Sequence, residues 1–457
     1  MNNLGATAVL PGIAETTPDS RAAEWFRLFD LRAHNRAEPD PAHCPKVDRL
    51  IAAVERVLLG PASPTGRTVP SAGAIFPYDL VLCVPPDLAG ISGVFHLDLT
   101  TRARLRLPVP AESVARLLPR DTADQAHLLL LSRPWLSMRK YGARGYLYAQ
   151  LDTGHAATAL LGLPGARLRL GLPRADLGSL VGSALRHREV HSVVSFTVPP
   201  APPSRDSWTA LARPRPTEPT SDDLERLGWS MIPEQLASGG IAWRPVPDAA
   251  AVPVHEGAIA ETEWPALTAA RRSCTSFADR RLPAGALTGA LSALATPLAT
   301  DVAATGSVLF TLLTDPETAR ECAPLADSIG IDIAGSARLS DPATVAAACN
   351  GQRHLGHARA FLVCRVVPTA LPAGVTQPQA MRDALFRVSA AGHLAYLGAV
   401  RAGVAVTGVG GFRDDHVRAL AGIAGHEEIP YLVAFGTGGT ATAKTDRDER
   451  AIAHGDR

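Results

Sequence analysis

Residues 47–59 read VDRLIAAVERVLL, with apolar side chains at 47, 50, 51, 54, 57 and 58. That spacing predicts an amphipathic helix, and Gly60-Pro61 ends it. A shorter helix is expected over residues 22–31 (AAEWFRLFDL). The runs YDLVLCV (78–84) and HLLLLS (127–132) are short and almost continuously apolar, which predicts buried strands. A helix is expected from about Tyr148 to Leu163, and HSVVSFTV (191–198) alternates as a strand does. Two Pro-rich polar clusters, PPAPPSRDSW and RPRPTEPTSDD, then interrupt the pattern. Proline cannot donate to a backbone ladder, so these mark a connector, with a short helix expected over residues 222–227. Beyond it, SVLFTLL (307–313), AFLVCRVV (360–367) and IPYLVAF (429–435) predict strands. Residues 383–400 predict a helix with Leu385, Val388, Gly392 and Ala395 on one face. VTGVGGF (406–412) leads into a helix start at Asp414-Asp415.

The two halves repeat one another. Gly154-His155 matches Gly392-His393 at an offset of 238, Asp176 matches Asp414 at the same offset, and His187 matches His426 at 239. An offset held to one residue over so long a stretch points to an internal duplication. The organisation expected is an N-terminal extension (1–45), a first lobe (46–200), a Pro-rich connector (201–260), a second lobe (261–437) and a polar, frayed tail (438–457).

The length of 457 residues supports two or three domains and a large core. The charge is balanced, 45 basic against 44 acidic residues, which argues against a nucleic-acid or other polyanionic partner. Six scattered cysteines show no CxxC or zinc spacing; Cys83 and Cys364 lie in apolar runs and read as buried thiols. The N-terminus has no basic, apolar signal pattern, and no run approaches the roughly 20 apolar residues of a membrane span. A cytoplasmic protein in a reducing compartment, without a metal centre, is expected.

Chemistry concentrates at residues 139–148, RKYGARGYLY, where three cations and three phenols share ten positions. A neighbouring ammonium favours a phenolate, and burial favours a neutral amine, so Lys140 and Tyr141 form a candidate acid/base pair. A solvated Lys-Tyr ahead of a helix is the plain alternative. Arg271, Arg272 and Ser273 open RRSCTSF; they would cradle an anion, or merely end a basic helix. Pro70, Ser71, Ala72 and Gly73 form a loop without bulk, which either admits a planar ligand to the backbone or is a surface turn. Gly410 and Gly411, in GVGGF, can aim backbone N–H groups at a ligand. This is not a dinucleotide fingerprint, because the GxGxxG spacing is absent. His187 and His191 could share a helix face, but Arg188 follows where a zinc protease has Glu. They, with His354 and His357, read as structural or surface residues, and His155 and His393 as hydrogen-bonded core histidines. There is no Walker A and no GxSxG.

Together these residues resemble a known family. RRSCTSF is similar to the opening R-x-S-x-x-x-F of nitroreductase-type flavoproteins, and VTGVGGF to their glycine turn beside the flavin. PSAGAIFP and KYGARGYLYAQLDTGH resemble the SagB-type branch, the azoline dehydrogenases of thiazole/oxazole-modified peptide pathways. The resemblance covers roughly residues 45–200 and 260–437. It implies an α+β fold of two fused nitroreductase-like lobes, each a mostly antiparallel sheet flanked by helices. It also implies FMN between them: Arg271 and Ser273, with Arg272 beside them, on phosphate and ribityl; Pro70, Ser71, Ala72 and Gly73 along the flavin; Gly410 and Gly411 near N5. Lys140 and Tyr141 would handle the proton. The first half lacks RRS and has LGLPR in place of GVGGF, the second lacks PSAGA, and Thr275 stands where many nitroreductases have a basic residue. One composite flavin site, with its counterpart decayed, is therefore expected. The implied activity is oxidation of thiazoline or oxazoline in an azoline-containing precursor peptide, with a cyclodehydratase complex as a further partner and the lobes as a pseudo-dimer able to pair again. The competing expectations are an NAD(P)H-dependent nitroreductase or flavin reductase, and a flavin-free scaffold binding a leader peptide or partner.

Overall fold

The computed structural model describes residues 45–59, 66–85, 88, 93–99, 103–107, 109–118, 120–182, 187–199, 209–210, 221–229, 242–247, 256–373, 377–439 and 441–442. The helix expected over 22–31 lies outside them. The first sheet contains β1 (Tyr78–Val84), β2 (Gly93–Asp98), β3 (Ala103–Arg106), β4 (Gln125–Ser132), β5 (Arg167–Arg169), β6 (Glu189–Thr197) and β7 (Thr209–Ala210). A two-stranded ribbon pairs β8 (Ser273–Cys274) with a strand near the C-terminus. The second sheet contains β9 (Val308–Thr314), β10 (Asp332–Gly335), β11 (Ala360–Val366), β12 (Ala405–Val409) and β13 (Glu428–Gly436), and β14 (Ala441–Thr442) completes the ribbon.

The sheets run β5-β6-β4-β1-β2-β3-β7 and β10-β9-β11-β13-β12. Read from β5 and from β12, their first four strands follow the same path, with antiparallel pairing throughout. The topology therefore repeats as the sequence offset predicts. The repeat breaks at the next strand. β1 pairs with β2 as an antiparallel hairpin, whereas β9 is followed by a helix and pairs parallel with β10. The fold is α+β, with two mostly antiparallel sheets flanked by helices. β1, β4 and β11 are buried along their whole length, which is why they read as continuous apolar runs.

The long helices of the two repeats, Arg144–Ala159 and Gln377–Ala402, pack against each other between the sheets. Phe386 and Ala390 of the second helix enter the first core, beside Ala156 and Leu160, while Leu151 of the first helix enters the second core beside Tyr396. Each lobe thus completes the other's core. Burial of a Phe or Leu side chain contributes about 1.5–3 kcal/mol, so separating the lobes would cost much of the stability. The Gly-His repeats mark the crossing. A Cβ on Gly154 would stand 2.0 Å from Ser389 Oγ, and one on Gly392 would stand 3.0 Å from the His155 ring. The His155 and His393 rings lie 5.9 Å apart, centre to centre. Both are buried as expected, but no ring nitrogen of either has a hydrogen-bond partner among the described residues. Burial lowers the pKa of both, that of His393 to about 3, so the pair is neutral at physiological pH.

Several expectations are corrected. The stretch 139–148 does not simply precede a helix: Lys140 and Tyr141 end the helix Pro134–Tyr141, and Gly142-Ala143 turn the chain into the next. His191 is on β6 and His187 in the preceding turn, so they share no helix face. At the start of the expected tail, Ala441 and Thr442 pair with Cys274 and Ser273, and residues 443–457 lie outside the described ones. Parts of the connector are built into the first lobe. β7 extends its sheet, and Leu224, Leu227 and Trp229 pack with Ile75, Trp135 and Tyr141.

Candidate active site at the lobe interface

A cavity of about 690 Å³ opens where the two repeats meet. The first repeat contributes the loop Pro70, Ser71, Ala72 and Gly73, together with Tyr141, Arg144, Tyr148 and Asp152. The second contributes Ser273, Tyr396, Gly408, Gly410, Gly411 and Tyr431, with Asn350 and Gln352 at the side. Of the residues singled out in sequence, Pro70–Gly73, Tyr141, Ser273, Gly410 and Gly411 thus share one space, whereas Lys140, Arg271 and Arg272 are not part of its lining.

The Pro70–Gly73 loop is held in an unusual shape. Gly73 has φ +64°, and Ala74 and Phe76 also have positive φ, a conformation that side chains with a Cβ rarely adopt. Asn350, another of the four positive-φ residues other than glycine among the described residues, lines the same cavity. The strain is held by buried polar bonds. The Asp152 carboxylate accepts from Ser71 Oγ (2.6 Å) and from the Ala72 N–H (3.0 Å), and Ser71 Oγ accepts from the Phe76 N–H (2.8 Å).

Gly73 brings the candidate acid/base pair together. A Cβ at that position would lie 2.6 Å from Tyr141 Oη and 2.7 Å from Lys140 Nζ. The two groups therefore converge on one point of the loop, with Nζ 5.3 Å from the centre of the Tyr141 ring. Lys140 is exposed and Tyr141 half-buried, its ring edge-on to Tyr148. Tyr148 crosses the interface and donates from Oη to the Gly410 carbonyl (2.7 Å). Gln352 donates to the Gly411 carbonyl (2.7 Å). A trans peptide puts the Gly411 N–H on the side opposite the Gly410 carbonyl, away from Tyr148. Any side chain at Gly410 would meet the Tyr148 ring at 2.9 Å.

Arg271 is placed one layer behind the wall. The residue is 2 % exposed, and its guanidinium donates to Thr68 O and Ser273 Oγ and stacks on Tyr396. Ser273 Oγ meets Tyr396 Oη at 3.1 Å, and Tyr396 Oη accepts from the Gly408 N–H. No carboxylate lies within ion-pair distance of Arg271 among the described residues, and burial, with Arg272 adjacent, pushes its pKa down to about 10. A buried cation without an anion fits a site built for an anionic ligand group, because an uncompensated charge there is costly. Arg272 is turned to the carbonyls of Ala269 and Arg271. Loop, glycine turn, serine and buried arginine together suit a flat ligand bearing a phosphate, which is the shape of FMN.

The symmetry-related position is closed. Seven residues before β1 stands Ser71; seven before β9 stands Asp301. Asp301 accepts from the N–H groups of Leu170 and Gly171, which at the offset of 238 are the counterparts of Gly408 and Val409. Arg244 of the connector donates to Asp301 and makes a two-pronged pair with Asp383. Its side chain comes within 2.4 Å of a Cβ built on Gly171. Arg174, fully buried, ties the same region to Gln379. Charged side chains fill the space that the first site leaves open.

Asp152, Tyr148 and Arg144 were not assigned roles from sequence. With Leu151 they fall at i, i+4, i+7 and i+8 from Arg144, one face of a single helix, and that spacing was the available signal.

Residues 268–437 match the model of the nitroreductase family, so the second repeat is a nitroreductase-family domain. Among solved structures, a candidate nitroreductase from Anabaena variabilis is 14% identical, with 88% of this chain and 91% of that chain covered and a TM-score of 0.57. That match spans both lobes and establishes the nitroreductase fold for the whole arrangement. Nitroreductase A from Vibrio parahaemolyticus is 15% identical over 42% of this chain and 74% of that chain, at a TM-score of 0.26. A Bacteroides fragilis nitroreductase with bound FMN is 19% identical over 40% of this chain and 93% of that chain, at a TM-score of 0.25. No curated protein matches the sequence. No helix among the described residues is long and apolar enough to cross a membrane.

Proposed function

We propose that the protein is an FMN-dependent dehydrogenase that oxidises thiazoline or oxazoline rings of a ribosomally made peptide to thiazoles or oxazoles. FMN would lie in the interface cavity, its phosphate near Ser273 and Arg271 and its ring along Pro70–Gly73 and Gly410–Gly411. When bound it supplies the two-electron oxidant, which dioxygen regenerates. The ring must lose two hydrogens, one as a proton and one as a hydride, as a carbon–carbon double bond forms. Tyr141 takes the proton on Oη, and Lys140 Nζ stabilises the negative charge that phenol carries beforehand. Gly73, lacking a side chain, lets both groups reach the ring. Asp152 keeps the loop in that shape, and Tyr148 and Gln352 hold the glycine turn opposite.

The observation that carries this reading is the convergence of Tyr141 Oη and Lys140 Nζ on Gly73 in the cavity wall. Reduction of a nitro group by hydride needs no base at that point, whereas dehydrogenation of a C–H acid does. The test is oxidation of a thiazoline-containing peptide, followed as a mass loss of two hydrogens. Tyr141→Phe and Lys140→Ala should keep the yellow cofactor and lose about 10²- to 10⁴-fold in turnover. Wild-type turnover in both variants would remove the assigned role. Rapid flavin reduction by NAD(P)H without azoline oxidation would favour a small-molecule reductase instead.

A further inference from the structure

A second cavity, of about 280 Å³, lies on the other flank of the helix Arg144–Ala159. Its wall is chiefly apolar: Leu147, Val366, Met381, Leu385, Ile429 and Pro430. Tyr146 and Gln150 also border it, but both are engaged behind it, each donating to Glu189 Oε2 at 2.9 and 3.1 Å, and Arg382 lies beside that same carboxyl. Two further charged residues, Arg144 and the exposed Glu428, also border the cavity.

Arg144 borders both cavities. The helix is the partition. Arg144, Tyr148, Leu151 and Asp152 face the candidate active site, and Tyr146, Leu147 and Gln150 face the second cavity. A helix with its side chains is about 10 Å across, and an extended chain advances about 3.3–3.6 Å per residue. A peptide passing the exposed first turn, over Gly142 and Arg144, therefore covers the separation in roughly three residues.

We propose that this second cavity is a specificity subsite that takes one apolar side chain of the peptide substrate, about three residues from the ring being oxidised. The inference rests on the dehydrogenase reading for the identity of the substrate. The cavity is large enough for one Leu, Met or Phe side chain, its wall is chiefly apolar, and it shares Arg144 with the wall of the active site. Burying such a side chain favours Leu over Gly by about 10- to 100-fold in affinity.

The test measures binding without turnover. Fluorescein-labelled hexapeptides carrying unmodified Cys at the ring position, and Leu or Gly three residues away on either side, are titrated with the FMN-loaded protein. The Leu peptide of one register should bind about 10- to 100-fold more tightly than its Gly counterpart. Met381→Trp, which fills the cavity, should abolish the difference, and Met381→Ala should extend the preference to Trp. Equal or undetectable binding of the Leu and Gly peptides by the wild-type protein overturns the subsite, as does discrimination unchanged in both variants. Self-association that Met381→Trp removes, without peptide discrimination, overturns it in favour of a second copy of the chain. Intact discrimination with no oxidation of any azoline peptide retains the subsite and sinks the dehydrogenase reading alone.

Discussion

Replacement of Gly73 by Ala separates the backbone contribution of this glycine from its catalytic one. At φ +64° a residue with a Cβ costs about 1–2 kcal/mol relative to glycine. The new methyl would stand 2.6 Å from Tyr141 Oη and 2.7 Å from Lys140 Nζ, against at least 3.4 Å in ordinary contact. Both are ends of flexible side chains, so they can retreat by about 0.7–0.8 Å with little further loss of stability. Misplacement of reacting groups by about 1 Å can cost roughly 10²-fold in rate. Gly73→Ala should therefore fold, bind flavin, melt a few degrees lower and turn over thiazoline peptide about 10²-fold more slowly. Gly422→Ala is the matched control. Gly422 has φ +66°, with nothing within 4 Å of an added Cβ, so it should lose similar stability and no activity. The two are compared by thermal melting and by steady-state oxidation. Equal turnover in Gly73→Ala and Gly422→Ala would refute the argument that Gly73 is there to admit the pair.

Asp152→Ala removes the acceptor for Ser71 Oγ and the Ala72 N–H, so it should cost about 1–3 kcal/mol and raise protease sensitivity at the Pro70–Pro77 loop; unchanged melting and cleavage would contradict the role given to Asp152. Glu189 is pushed up from 4.5 to about 7, chiefly by burial, so its protonated form stabilises the fold below pH 4.5 and that contribution is lost as pH rises through about 7. Glu189→Gln should accordingly gain stability relative to wild type between those limits, by roughly 3 kcal/mol at about 1.4 kcal/mol per pH unit, and a difference independent of pH in denaturant melts would rule this out. Because Asp301 and Arg244 close the symmetry-related position, FMN released from the saturated protein should amount to one per chain, and two per chain would show that the second position opens.

The buried strands were legible because both of their faces are covered, so β1, β4, β9, β11 and β13 appear as apolar runs. β2 and β3 were passed over, lying in a stretch broken by Pro and polar residues. The helices Pro316–Ile329 and Pro342–Ala348 were passed over too, although Asp315-Pro316 and Asp341-Pro342 each place an N-cap aspartate before proline, and both aspartates do cap. The duplication was legible from Gly154-His155 and Gly392-His393 because a close helix crossing demands glycine in both copies. Of the site, the glycine loops and the Lys-Tyr pair stood out by composition. Asp152, Tyr148 and Tyr396 did not, since their roles depend on partners 80, 262 and 123 positions away. Closure of the second position was visible only as missing motifs; the side chains that fill it come from the connector and from Asp301.

The most direct measurement is an anaerobic titration of the FMN-loaded protein with a thiazoline-containing peptide, recording flavin absorbance and peptide mass together. Bleaching of the flavin in step with one thiazole formed per FMN, restored by admitting air and slowed about 10²- to 10⁴-fold in Tyr141→Phe, is the result predicted. Flavin that bleaches with NAD(P)H but stays oxidised with the peptide would contradict the account.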